Sequence, residues 1–419
     1  MMQSQIVPVV VQQHVEDAAV LHNTRSLLSV APHVRLLHLR RFDDRMAAHL
    51  DGLAVAGNDG WPICEAALER PESGAMFTAA VRAIEDRRVD LLDRVFTLAQ
   101  SALGGQSGLR SALGWVEPQA LRGMVFDLLG SIDPFRRLLA IAASAMHRVD
   151  PSLGAARRLE DPDALCRARV YRAAGELGKR EFLPYLARTL SDPDPVCQFW
   201  AAWSAVLLGD RQQALHQLQT YASADNPFRE RAFRLSLLAT SSERRHEQLR
   251  SFAQDAAHMR WLIKGAGLVG DPTYIPWLIK HMSDDKLARV AGESFSLITG
   301  ADLAWLDLEC KPPENFESGP NDDPNDVNVE MDEDDGLPWP HQQLVERWWS
   351  INGSRFTPGV RFFVGGPVTR EHCIEVLRSG YQRQRILAAH HLCLLEPGAT
   401  LFEWRAPAWR QAGLLREMQ

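Results

Sequence analysis

The chain has 419 residues, 46% hydrophobic and 24% charged, with a formal net charge of −7. Such a composition suits a globular protein with a large core, and the acidic balance, with arginines spread among acids, argues against the clustered Lys/Arg surface that phosphate neutralisation requires. Direct nucleic-acid binding is therefore not expected, and a basic partner is favoured.

The cysteines at 64, 166, 197, 310, 373 and 393 form no CxxC and no paired spacing. That pattern argues against a disulfide framework or a zinc module and for a reducing compartment. The run Ile6-Val7-Pro8-Val9-Val10-Val11 lacks a basic flank and is too short for a signal-peptide core. No later run approaches the ~20 apolar residues of a membrane span. A cytoplasmic protein without membrane contact is expected.

Residues 10–150 read as helices with short breaks. Phe42, Met46, His49, Leu50 and Leu53 share one helical face, Pro62 suits the first turn of the next helix, and Pro118 and Pro134 are read as opening two more.

From about residue 130 the grammar repeats. Asp161-Pro162 precedes a helical run ending at Gly175-Glu176-Leu177-Gly178, and Asp192-Pro193 precedes one ending at Leu207-Leu208-Gly209-Asp210. Glycines recur at 178, 209, 270 and 300, with spacings of 31, 61 and 30. Self-similarity at this length marks stacked helical pairs, each completing its neighbour's core. Asp-Pro at 133, 150, 161 and 192 is read as a helix start, with Asp capping free N–H groups and Pro at the first position. Gly178, Gly209 and Gly270 are read as left-handed closures. Val196, Phe199, Trp200, Ala202, Trp203, Val206 and Leu207 leave their helix little polar face, so it should be buried. Two proline-containing helices, 182–190 and 274–282, share the pattern Leu/Ile-Pro-aromatic-Leu and read as equivalent elements.

The residues Asp161-Pro162, Arg167-Ala168 and Ala174-Gly175-Glu176-Leu177-Gly178 resemble HEAT repeats, over roughly residues 130–300. The segments 199–210 and 382–390 are similar to a bacterial family of HEAT-repeat proteins often encoded beside type VI secretion spike genes, a resemblance running from about residue 14 to the C-terminus. The expected fold class is all-α: an α-solenoid of HEAT-like helical hairpins with an acidic loop insertion and a small helical C-terminal region. The expected organisation is 1–130 as an N-terminal helical region, 131–310 as HEAT-like repeats, 311–340 as the acidic loop, and 341–419 as an aromatic-rich helical region.

No motif for chemistry stands out. Gly265-Ala266-Gly267-Leu268-Val269-Gly270 matches the dinucleotide fingerprint as a string, yet a helical run precedes it and Asp271-Pro272 breaks the chain after it. His390, His391 and Cys393 point in different directions on a helix and read as core or helix-face residues. There is no HExxH, GxSxG or Walker sequence, so no catalytic residue, cofactor or metal is assigned.

The insert is the feature with a functional edge. Between Glu314 and Asp335 stand ten carboxylates and no Lys or Arg. It reads either as a solvated linker or as a polyanionic surface for a basic partner, with Asp322, Asp323, Asp326, Glu330, Asp332, Glu333, Asp334 and Asp335 as contacts. A calcium loop over Asp326, Asn328, Glu330 and Asp332 is weakened by Met331 and Leu337 at the positions that need Gly and Glu. Trp348 and Trp349 read as core or as interface anchors. Trp200, Trp203, Trp261 and Trp277 read as core.

Together with the resemblance, these readings lead to a non-enzymatic protein-binding solenoid. The resemblance implies an immunity protein that occludes a type VI effector toxin, with a nuclease as one candidate. One alternative is an adaptor that loads an effector onto the spike. Another is a HEAT-like enzyme acting on DNA, which would need a basic groove.

Overall fold

The computed structural model describes residues 6–154, 156–251, 258–314, 316–320 and 331–418. It is 67% helical. The sheets among the described residues are two antiparallel pairs of two-residue strands, Glu309–Cys310 with Trp339–Pro340 and Phe362–Phe363 with Gly366–Pro367. The chain is therefore all-α, built from HEAT-like helical hairpins. It divides into two compact units: Met1–Val30, Val34–Leu208 and Gly398–Gln419 form the first, and Ala31–His33 with Gly209–Pro397 form the second. This division passes through the segment that the spacing assigns to one repeat array, and it places residues 398–418 with the N-terminal helices.

In the first unit, helix Ser73–Glu85 is buried at every position from Met76 to Ile84. Helices Pro8–Leu28, Leu36–Ala56 and Leu103–Trp115 pack around it. The stripe on Leu36–Ala56 buries Met46, Leu50 and Leu53, with Phe42 and His49 half-buried at its edges. Pro62 and Pro134 sit in the first turns of Trp61–Ala67 and Pro134–Met146. Pro118 does not open a helix. Residues 117–122 make successive three-residue turns, and the left-handed Gly123 (φ 88°) resets the chain before helix Met124–Leu129.

Helices Pro134–Met146, Ala164–Glu176 and Pro195–Leu207 stack in order. The caps correct the reading of Asp-Pro. Asp133 caps its helix directly, but at the next two repeats the caps are Asp163 and Asp194, two residues later. Asp161 and Asp192 serve a different purpose, each pairing with the preceding repeat. The Arg137 guanidinium donates to both Asp161 oxygens at 2.8 Å, and one period on Arg167 donates to Asp192 at 3.3–3.4 Å. Asp150 accepts from the Leu153 N–H and pairs with Lys179, without starting a helix.

In the second unit, helices Arg229–Ala239, Met259–Val269 and Ala288–Thr299 pack successively, and Gln382–Leu395 packs against the first of them. The two proline-containing helices are equivalent in detail: Leu183–Thr189 and Ile275–His281 each follow a 3-10 turn directly and carry Pro in their first turn. The expected extended piece after Arg361 is a hairpin turned by Val364 and Gly365, both at positive φ.

The recurring glycines do more than close helices. Gly178, Gly209, Gly270 and Gly300 all have positive φ. Returning C-terminal chain also runs across these ends within each unit, and its N–H groups satisfy carbonyls that a helix leaves unpaired. In the first unit the Leu401 N–H donates to the Glu176 carbonyl at 3.0 Å. In the second, the N–H groups of Phe362, Val364 and Gly365 donate to the carbonyls of Gly270, Leu297 and Ile298 at 2.6–3.1 Å.

A Cβ on Gly270 would lie 2.3 Å from the Phe362 carbonyl oxygen, whereas one on Gly359, also at positive φ, would meet nothing within 4 Å. Left-handed backbone alone costs a non-glycine residue roughly 1–2 kcal/mol. Gly359→Ala is expected to lose about that much in urea unfolding and Gly270→Ala distinctly more. Equal losses would mean that the returning chain does not press on the glycine.

Candidate functional site

The pairing of Glu309–Cys310 with Trp339–Pro340 brings the two ends of the acidic insert together. Asp322, Asp323, Asp326 and Glu330, with Asn328 of the calcium reading, lie outside the described residues. Asp332, Glu333, Asp334 and Asp335 are described, and the first three are each paired with cations of the protein itself.

Asp332 organises the local turn. One of its carboxylate oxygens accepts the Asp334 N–H at 2.9 Å, and its carbonyl accepts the Asp335 N–H. Both carboxylate oxygens also accept from the Arg289 guanidinium, at 2.6 and 3.0 Å, and Ser318 Oγ donates at 2.7 Å. Burial alone would raise this carboxyl, but the Arg289 and Ser318 hydrogen bonds outweigh it and hold it at about 2.

Asp334 is 3% exposed and receives a two-pronged bond from Arg260, the longer contact at 2.8 Å. Glu333 takes a further bond from Arg260 at 2.8 Å and one from Lys264 at 3.4 Å. The Arg383 guanidinium donates to the Glu333 carbonyl at 2.9 Å and spans both oxygens of Glu293. Asp335 is exposed. The expectation of a solvated loop thus fails at Asp332 and Asp334, because cations on repeat and C-terminal helices are placed to receive them, while Glu333 between them is paired but stays exposed.

Aromatic rings hold the same segment from behind. Arg289 lies 4.8 Å from the Trp339 ring centroid and 5.2 Å from that of Phe316, which meet edge to face at 4.8 Å. Trp348 and Trp349 are both half-buried: Trp348 packs on Phe295 of helix Ala288–Thr299, and Trp349 packs on Phe356. Trp200 and Trp203 are buried as expected, while Trp261 and Trp277 are only half-buried. The Arg229 guanidinium and the Lys264 ammonium lie over the Trp261 ring at 4.7 and 5.5 Å.

The cations were missed by reading the insert alone. A signal for them exists in sequence. Arg260, Arg289 and Arg383 each stand at the second residue of their helices, where the positive end of the helix dipole disfavours a cation. Three such violations become sensible once an anion lies between them.

The other motifs are structural. Gly265–Val269 lie inside helix Met259–Val269 and Gly270 closes it, so the string ends a helix, whereas a dinucleotide site needs it to open one. His390 and His391 are buried in helix Gln382–Leu395, the first bonded to the Ile386 carbonyl and the second packed on Phe363. The six cysteines are free thiols, with Cys310 exposed and the others buried. Among the described residues, no helix is long and apolar enough to cross a membrane.

No curated protein and no solved structure matches the chain. Residues 153–237 do match a protein-family model, that of HEAT repeats. This stretch spans the Arg–Asp ladder partners Arg167 and Asp192, the caps Asp163 and Asp194 and the buried helix Pro195–Leu207. Over residues 153–237, therefore, the chain carries HEAT repeats, the helical unit of scaffolds through which proteins contact one another.

Proposed function

We propose that this is a non-enzymatic scaffold that holds a protein partner, and that the partner is a type VI secretion effector which it sequesters as an immunity protein. The HEAT repeats at 153–237 carry the binding part of this reading, since stacked hairpins offer an extended surface without any reaction chemistry. The immunity part rests on the resemblance of segments 199–210 and 382–390 to the HEAT-repeat family found beside spike genes. Occlusion of a catalytic cleft requires shape and charge match over a standard-sized interface. The net charge of −7 favours a basic effector domain. Asp332 and Asp334 are committed to the protein's own arginines, which leaves Asp335 and Glu333, the latter paired with Arg260 and Lys264, as the exposed carboxylates of that group.

Co-expression with the toxic domain of a type VI effector from the same genome tests the reading. Restored growth together with a co-purifying complex is the expected result. A complex without protection would replace immunity by an adaptor role, and no complex would end the reading.

A further inference from the structure

We propose that Arg260, Lys264, Arg289 and Arg383 form a latent docking surface for an acidic peptide segment of a partner protein, occupied in the free protein by its own Asp332–Asp334. This surface is opposite in sign to the one proposed for a basic effector and does not depend on that reading.

Three observations point to an exchangeable occupant. The first is the positioning of the cations. Arg260, Arg289 and Arg383 sit in the first turns of helices Met259–Val269, Ala288–Thr299 and Gln382–Leu395, where unpaired N–H groups and the helix dipole already favour an anion. Adding a cation there raises the local positive potential, which only an anion relieves.

The second is the geometry of the occupant. Arg289 and Arg260 each grip a carboxylate through two N–H groups, the planar fork match that carboxylates offer. The ligand already in place is an acidic peptide, so the surface is shown to accept that chemistry. Nucleic acid would meet the repulsion of a chain with net charge −7.

The third is access. With the segment seated, the side chains of Arg260 and Lys264 are still 26% exposed and that of Arg383 31% exposed, while Arg289 is 8% exposed. An incoming acidic segment can therefore engage the outer three before the inner pair opens. Trp261, half-buried beside Lys264, extends the surface with an aromatic face.

An occupied site shows an apparent affinity reduced by the fraction of molecules in which it is open. Neutralising the occupant removes that reduction. The full chain carrying Asp332→Asn, Glu333→Gln and Asp334→Asn is compared with the unmodified protein for binding a fluorescent oligoglutamate peptide at low and moderate salt, with single-stranded oligothymidylate as a second probe.

The expected result is oligoglutamate binding at least about tenfold tighter in the triple variant, corresponding to roughly 1.4 kcal/mol of masking. The gain should weaken with salt and vanish when Arg260→Ser and Arg383→Ser are added. Glu333 is 66% exposed, so Glu333→Lys, which repels Arg260 and Lys264 without touching the core, serves should the triple variant not fold. It should show a smaller gain in the same direction. Equal oligoglutamate binding in folded variant and unmodified protein, or a gain that survives loss of Arg260 and Arg383, overturns the proposal. Tighter binding of oligothymidylate than oligoglutamate overturns the assignment to an acidic peptide.

Discussion

Replacing Leu207 with Asp is expected to unfold the repeat helices of the first unit. Leu207 is 1% exposed at the end of helix Pro195–Leu207, in which every residue from Phe199 onward is buried. Truncating a buried leucine costs about 2–5 kcal/mol, and a carboxylate left there without a partner adds several kcal/mol more. Domains are stable by only about 5–15 kcal/mol, so this single change consumes much of the margin. Leu165→Asp is the control, because Leu165 is 56% exposed on the neighbouring helix Ala164–Glu176. Thermal melting followed by circular dichroism, with the fluorescence of Trp200 and Trp203 as a local reporter, should show an early or absent transition for Leu207→Asp and a nearly normal one for Leu165→Asp. Matching melts would show that the helix is not core.

The fold was legible where local chemistry and packing demand the same residue. Gly178 and Gly270 announce a helix end because only glycine takes left-handed backbone without penalty, and the structure adds a second demand from the chain that crosses them. The apolar helix at 195–207 was legible because burial on all sides leaves no polar face to hide it. Pro118 misled because proline fits turns as well as first turns of helices, and its context alone does not separate them. Asp161 and Asp192 were assigned as caps because capping is a local rule. Their pairing with Arg137 and Arg167 of the preceding repeat is a contact some 25 residues away in sequence, which periodicity suggests only after the ladder is known.

The candidate site was half legible. Ten carboxylates without a cation mark a segment that must find positive charge or remain in water. Which of these happens is decided by residues up to 74 positions away, as with Arg260 and Asp334. Composition sees the charge of the insert and not its partner, because Arg260, Arg289 and Arg383 are diluted among ordinary helical residues. Trp348 and Trp349 stayed ambiguous for a related reason: both end half-buried, one against Phe295 and the other against Phe356.

The second large effect is expected at Glu176. Its side chain is 7% exposed and accepts from Arg169 Nη2 at 2.8 Å and Arg172 Nε at 2.7 Å, with Arg169 itself only 11% exposed. Arg172 in turn lies 4.5 Å from the Trp200 ring centroid, so the pair is tied to the buried helix of the next repeat. Breaking a buried ion pair by removing one partner typically costs about 3–5 kcal/mol, because the remaining charge is left uncompensated. Glu176→Gln, which keeps the volume, should therefore lower the unfolding midpoint sharply, and Glu176→Leu with Arg169→Met should recover much of the loss. The pH dependence separates charge from packing. Burial would raise the Glu176 carboxyl, but Arg169, Arg172 and Arg148 outweigh it and hold it at about 2, below the ordinary 4.5. A carboxyl depressed in the folded state contributes stability that is complete above pH 4.5 and is lost as pH falls toward 2. The unmodified protein should lose stability across that window more steeply than Glu176→Gln. Parallel acid profiles, or a midpoint unchanged by Glu176→Gln, would show that this carboxylate does not hold the repeat together.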